Sequence, residues 1–183
     1  MKGHWVPASC DAVIERLKLH GIQIKTITKP QEVNVEMYRI TDYKLDDENQ
    51  QAQPFEGRFM VNPKTRTQLQ THIFPAGSVY ISTDQTLGDL ALLLLQPASK
   101  DSFFSWGFFN PIFQRTEYME QYIVEPLAKK MLADSLELRK EFELKKAQDP
   151  AFAKSQNAIL SWFYSKTKYY DSNYLLYPIG REK

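Results

Sequence analysis

Apolar positions in the chain change their period near its middle, and that change predicts the architecture. The first element has helical spacing: Val13, Leu17 and His20 fall on one face, Ser9 is placed to cap it, and Gly21 suits the left-handed residue that ends a helix. From there the period shortens to two. Ile22 to Thr26 alternates like a half-buried strand, and Val33, Val35, Met37, Tyr43 and Leu45 continue the alternation. Tyr38 and Ile40 fall out of phase, which predicts a bulge or a stretch buried on both faces. The run from Asp46 to Gln51 is a polar loop. Phe59 and Val61, then Leu69, Thr71 and Ile73, then Val79 and Ile81 resume the strand pattern. Asn62-Pro63-Lys64 and Pro75-Ala76-Gly77 supply turns. Connections this short make neighbouring strands antiparallel.

Beyond residue 85 the period lengthens again. Thr86-Leu87-Gly88-Asp89 has the form of a capping box opening an apolar helix through Leu95, and Pro97 stops it. The aromatic segment Phe103-Phe104-Ser105-Trp106-Gly107-Phe108-Phe109 follows. Met119, Ile123, Leu127 and Met131 then form a row at four-residue spacing, bent or divided by Pro126. Asp134 or Ser135 caps the next helix, with Leu138 and Phe142 on one face. Asp149-Pro150 is a cap followed by proline at the first helical position. Phe152, Ile159, Leu160 and Phe163 line the last helix, and the tail from Tyr169 to Pro178 is packed rather than loose. The expectation is a single α+β domain over 1–183, with an antiparallel sheet packed against helices. Residues 1–85 form the β-rich part with one N-terminal helix, and 86–183 the mainly helical part.

Composition narrows the function classes. Hydrophobic residues make up 43% of the 183 and aromatics 13%, enough for a folded core. A net charge of +1, with no basic face, argues against nucleic acid as a partner. The longest apolar run, Leu90 to Leu95, is far short of a membrane span. The one cysteine, Cys10, excludes an internal disulfide and a multi-cysteine metal site.

Catalytic patterns are missing from the sequence. Of His4, His20 and His72, none has a glutamate three or four residues away, as a zinc peptidase motif requires. Ser78 lacks a Gly-x-Ser-x-Gly context and reads as a turn before a strand. Cys10, at a helix start, is a packing residue rather than a nucleophile. Glu117 with Glu120 and Glu137 with Glu141 are solvated helix charges. The expected site therefore has no catalytic, cofactor-binding or metal-binding residues. The candidate docking surface for peptide or glycan is Trp5, Phe103, Phe104, Trp106, Phe108 and Phe109. The competing reading is that these rings fill the seam between sheet and helices, because bulky neighbours on both sides of Gly107 suit a tightly packed corner.

Several phrases occur in one order along nearly the whole chain: Trp5-Val6-Pro7-Ala8, Val13 to Ile22, Phe74 to Ser78, Gln96 to Ser102, Trp106 to Phe109 with Glu117-Tyr118, Glu125 to Ala128, Asp149 to Ala153, and Tyr177-Pro178. As a collinear set they resemble the C-terminal, non-catalytic region of bacterial zinc carboxypeptidase-like proteins of the carboxypeptidase-A type. Gln96 stands where that pattern has an acid. The resemblance implies a parent hydrolase whose zinc belongs to an upstream catalytic domain linked in cis; the sequence fixes no compartment, and export of the parent to the periplasm or beyond is left open. This chain then carries no cofactor or peptidase activity of its own and supports the catalytic domain or substrate access. A self-contained peptide- or glycan-binding module is the alternative.

Overall fold

The computed structural model describes residues 2–45, 54–114 and 120–183. They fall into two compact units, Met1–Gln114 with Asn173–Lys183, and Arg115–Ser172. The expected polar loop from Asp46 to Gln51, and Met119 and Glu117, lie outside the described residues.

The first unit is built on six antiparallel strands: β1 (Gly3–Val6), β2 (Lys25–Thr26), β3 (Gln31–Leu45), β4 (Val61–Phe74), β5 (Val79–Ser82) and β6 (Gly180–Glu182), in the order β2-β5-β1-β6-β3-β4. β3 and β4 form a long hairpin, in register from Gln31 opposite Phe74 to Leu45 opposite Val61. It has the expected bulge, at Ile40/Asp42. Val35, Glu36 and Met37 are consecutive and all buried, so this strand is covered on both faces. The three residues of β6 pair with β1 on one side and meet β3 through Glu36 opposite Arg181 on the other. The far end of the chain thus joins the two parts of the sheet.

Three sequence expectations are corrected in the strands. Asn62-Pro63-Lys64, expected as a turn, lies inside β4 opposite Lys44, Tyr43 and Asp42. The strand read at 22–26 is confined to Lys25–Thr26. The Gln85 side chain accepts from the Gln23 N–H at 2.8 Å and donates to the Gln23 carbonyl at 3.1 Å, taking the backbone groups a ladder would need. In β4 the apolar residues Leu69 and Ile73 face outward, 75% and 59% exposed. The inward positions go to Gln68, Gln70 and His72, whose half-buried side chains lie along the sheet. The Gln70 amide reaches the Met37 sulfur at 3.0 Å, and the His72 ring meets Phe74 edge-on.

Helix α1 (Asp11–Leu19) buries Val13, Ile14 and Leu17, and Gly21 (φ 79°) follows its end. Its N-cap is Cys10 rather than Ser9, with no side-chain cap; the Asp11 carboxylate accepts from the adjacent Ala12 N–H instead. Helix α2 (Gly88–Leu95) begins after Leu87, so Thr86 does not cap it. Gln96, before Pro97, is extended as that proline demands. These helices, the aromatic segment and Tyr177 enclose the main core with Val6, Ile40 and Ile81. A smaller cluster comprises Ile27, Val35, Met37, Phe74 and Leu176, with Trp5 and Val33 against it.

The second unit contains α3 (Gln121–Asp134, with Pro126 inside), α4 (Leu136–Gln148), α5 (Pro150–Lys154) and α6 (Gln156–Ser165). Ser135, Asp149 and Ser155 cap α4, α5 and α6 by accepting from the backbone N–H three residues on, at 3.1, 2.9 and 3.2 Å. Its core is Val124, Ala128, Phe142, Phe152 and Phe163. The buried row of α3 is one residue out of phase with the expected one: Ile123 is exposed and Val124 enclosed. A mainly β first half and a helical second half make an α+β protein, as the change of period predicts.

Candidate ligand-binding cleft at the aromatic corner

The aromatic segment is a tight corner held by its own backbone. The Trp106, Gly107 and Phe108 N–H groups donate to the carbonyls of Ser102, Phe104 and Phe103 at 3.0, 2.9 and 3.0 Å. The buried Ser105 hydroxyl bonds the carbonyls of Lys100 and Ser102 at 2.6 and 2.9 Å. Gly107 turns the chain at φ 71°, and a Cβ there would stand 2.3 Å from the Phe59 carbonyl oxygen. Glycine is required on both counts.

The six rings read as a docking surface separate into core and surface. Phe103, Phe104 and Phe109 are 5%, 1% and 5% exposed. Phe104 and Phe109 pack on Tyr177 with ring centres 5.3 and 4.9 Å away, and the Tyr177 hydroxyl donates to the Leu95 carbonyl at 2.9 Å. All three belong to the main core, together with Val6 and Ile81 of the sheet and Leu17 and Leu95 of the helices. Trp106, Phe108 and Trp5 remain half-buried.

A short turn clasps the outer side of this corner. Phe55 and Arg58 exchange backbone hydrogen bonds at 2.8 and 2.9 Å around Glu56-Gly57, both with positive φ (48° and 77°). That is the pattern of a two-residue hairpin turn. Asn110 donates to the Phe59 carbonyl at 3.1 Å, the Val61 N–H donates to the Ser105 carbonyl at 2.9 Å, and the Phe55 ring sits 5.9 Å from Trp106. The turn thereby lays the Arg58 guanidinium 3.6 Å from the centre of the Phe108 ring, and Arg16 of α1 comes within 4.8 Å of the same ring. Both lie within the range of cation–π attraction.

These groups border an open cleft of about 540 Å³, with Phe103, Trp106 and Phe108 as its apolar wall. Glu56, Asp101 and His20 also line it, all exposed. Among the described residues no carboxylate lies within ion-pair distance of Arg16 or Arg58. Burial, and secondarily the charge of Arg16, lowers the pKa of Arg58. Sequence reasoning missed both arginines and the turn. Glu56-Gly57 was the one local signal for the turn, and Arg16 looks like an ordinary solvated helix charge.

Trp5 is placed elsewhere, beside a second cleft of about 450 Å³ that Tyr80 also lines. Its indole N–H donates to the Glu182 carboxylate at 3.0 Å, and its ring stacks on Phe74 and leans on Tyr80.

The sheet carries a row of ionisable side chains. In register across three strands lie His4, Arg181 and Glu36. Glu36, 6% exposed, is ion-paired to Arg181 and, at 2.9 Å, to Lys183. Arg181 also lies over the Tyr38 ring, and the Tyr38 hydroxyl bonds Gln96 at 2.5 Å. His4 is 2% exposed, neither ring nitrogen has a partner among the described residues, and burial followed by the Arg181 charge pushes its pKa down to about 4.

The three histidines occupy different settings: His4 is inside the sheet, His20 is exposed at the end of α1, and His72 is half-buried on β4. Among the described residues no three His, Cys, Asp or Glu side chains group as a metal site would need. Ser78 is fully buried and accepts from the Ala8 N–H at 3.1 Å. Burial pushes the Cys10 thiol up to about 11, away from nucleophilic readiness. Glu137 and Glu141 are exposed, and Glu141 pairs with Lys166 at 2.6 Å. No helix among the described residues is long and apolar enough to cross a membrane.

No protein-family model matches the chain, and no solved structure matches it. Two curated proteins that do match are named Carboxypeptidase 2, from Trichophyton tonsurans and Trichophyton equinum. Each is 26% identical over 106 residues, which is 58% of this chain. The aligned stretch is 19% of the length of those relatives. The sequence therefore bears a weak similarity to fungal carboxypeptidases, confined to a small part of them.

Proposed function

We propose that the chain is a non-catalytic accessory region of a zinc carboxypeptidase-like peptidase, supporting its catalytic domain or governing substrate access. The observation that carries this reading is the similarity to Carboxypeptidase 2 over only 19% of that protein's length, which leaves ample chain for a separate peptidase domain. The dispersal of His4, His20 and His72 supports it, since a peptidase zinc needs its ligands to meet at about 2 Å. In this reading the zinc and the general base belong to the upstream domain. The half-buried rings Trp106, Phe108 and Trp5 are available to peptide or to the partner domain.

The test is release of C-terminal amino acids from peptides by the purified chain, with zinc supplied and with a chelator. The expected result is no release in either condition. Chelator-sensitive release by this chain alone would overturn the reading.

A further inference from the structure

The geometry points to the corner cleft as a binding site for a carboxylate that carries an adjoining apolar group. The inference rests on the cleft alone and stands whether or not the chain belongs to a peptidase.

Arg16 and Arg58 converge on one ring from different elements, helix α1 and the Phe55–Arg58 turn, 4.8 and 3.6 Å from the Phe108 centre. Two guanidiniums repel, and the usual resolution is a carboxylate between them. Among the described residues neither has an ion-pair partner. The one side-chain hydrogen bond of Arg16 among the described residues is a long one, 3.4 Å, to the Ala12 carbonyl. Arg58 is half-buried, which sets its charge against the apolar wall instead of bulk water. Each guanidinium presents a planar fork of N–H donors that matches the two oxygens of a carboxylate.

The surroundings select among anions. Glu56 and Asp101 on the cleft margin offset part of the positive charge, which favours a singly charged carboxylate over a phosphate dianion. The Phe103, Trp106 and Phe108 wall offers apolar surface beside the arginines, so the ligand must place a hydrocarbon or aromatic group next to its carboxylate. A peptide ending in an aromatic or aliphatic residue has that chemistry, and so does a small free apolar acid.

The experiment is calorimetric titration of the full chain with N-acetylphenylalanine, its amide, acetate and inorganic phosphate, at low and at moderate salt. The free acid is expected to bind at least ~10-fold more tightly than the amide, since charge-assisted hydrogen bonds to the carboxylate are absent in the amide. It is also expected to exceed acetate and phosphate, and to weaken as salt rises. Arg16→Gln and Arg58→Gln should each weaken the free acid by about 10-fold, with thermal melts reporting that both remain folded. If Arg58→Gln fails to fold, Arg16→Gln on the helix carries the test. A longer peptide with the same last residue separates the two sources: tighter binding than N-acetylphenylalanine identifies a peptide C-terminus, and equal binding a free acid, either of which upholds the site. Equal binding of acid and amide, preference for phosphate, or no binding of the acid at millimolar concentration would each overturn the proposal.

Discussion

Replacing His4 with leucine should remove an acid-sensitive loss of stability. His4 sits on β1 between Ile81 of β5 and Arg181 of β6, 2% exposed, with both nitrogens unpartnered among the described residues. Burial and the nearby Arg181 charge hold its pKa at about 4, against 6.5 for the unperturbed ring. The folded protein therefore keeps the ring neutral across a range in which the unfolded chain takes up a proton. Stability is complete above pH 6.5 and falls as the pH drops towards 4, because there the unfolded state binds more protons. At about 1.36 kcal/mol per pH unit, the loss from this residue reaches ~2.5 kcal/mol by pH 4.5. The remaining ionisable groups are common to both proteins, so the comparison isolates the residue at position 4. The assay is urea unfolding of wild type and His4→Leu at pH 7.5 and pH 4.5. At pH 7.5 the variant should be as stable as wild type or about 1 kcal/mol more so, since two buried nitrogens without partners are removed. At pH 4.5 its advantage should widen by ~2.5 kcal/mol. Parallel pH dependence in the two proteins, or a His4 resonance titrating near 6.5, would refute the reasoning.

Glu36→Gln should destabilise the fold by about 3 kcal/mol, because it leaves Arg181 beside an uncharged partner within the sheet; chemical denaturation at low and high salt should show a deficit that salt does not abolish. Gly107→Ala should cost about 2–4 kcal/mol, from the left-handed backbone and from the Cβ meeting the Phe59 carbonyl, with changed Trp106 fluorescence reporting that the 55–58 turn has moved. Tyr177→Phe should cost about 1 kcal/mol in thermal melts, the net worth of the buried hydrogen bond to Leu95. Cys10, with its thiol raised to about 11 by burial, should react with iodoacetamide at pH 8 far more slowly in the folded protein than in urea.

What could be read from the sequence depends on near neighbours, although the local caps expected at Ser9 and Thr86 are not formed. The helical phase of Val13 and Leu17, a cap at Asp134 or Ser135, the cap at Asp149, the helix stop at Pro97 and the tight corner at Gly107 all follow from side chains a few positions apart; the structure has each, with Ser135 as the cap. The face of β4 was not legible. Alternation gives the period of a strand but not which side meets the core, and there the stems of Gln68 and Gln70 are half-buried while Leu69 and Ile73 are exposed. Nor was β6 legible: Gly180–Glu182 is too short to carry a strand signal, and it is held by β1 from the opposite end of the chain.

The cleft belongs to this second kind. Arg16 reads locally as a helix charge and Arg58 as a loop charge, and nothing in either neighbourhood links them. They meet because three non-local constraints coincide. The buried face of α1 sets where Arg16 projects, Gly107 lets the Phe59 carbonyl approach, and the Phe55–Arg58 turn then lays its guanidinium on Phe108. Removing any one of these should separate the two cations while leaving both in the sequence. Gly107→Ala therefore probes more than stability. If the carboxylate site is real, that variant should lose free-acid binding at a temperature where it is still folded, although neither arginine has been altered. A folded Gly107→Ala protein with undiminished affinity would mean that the arginines do not act together.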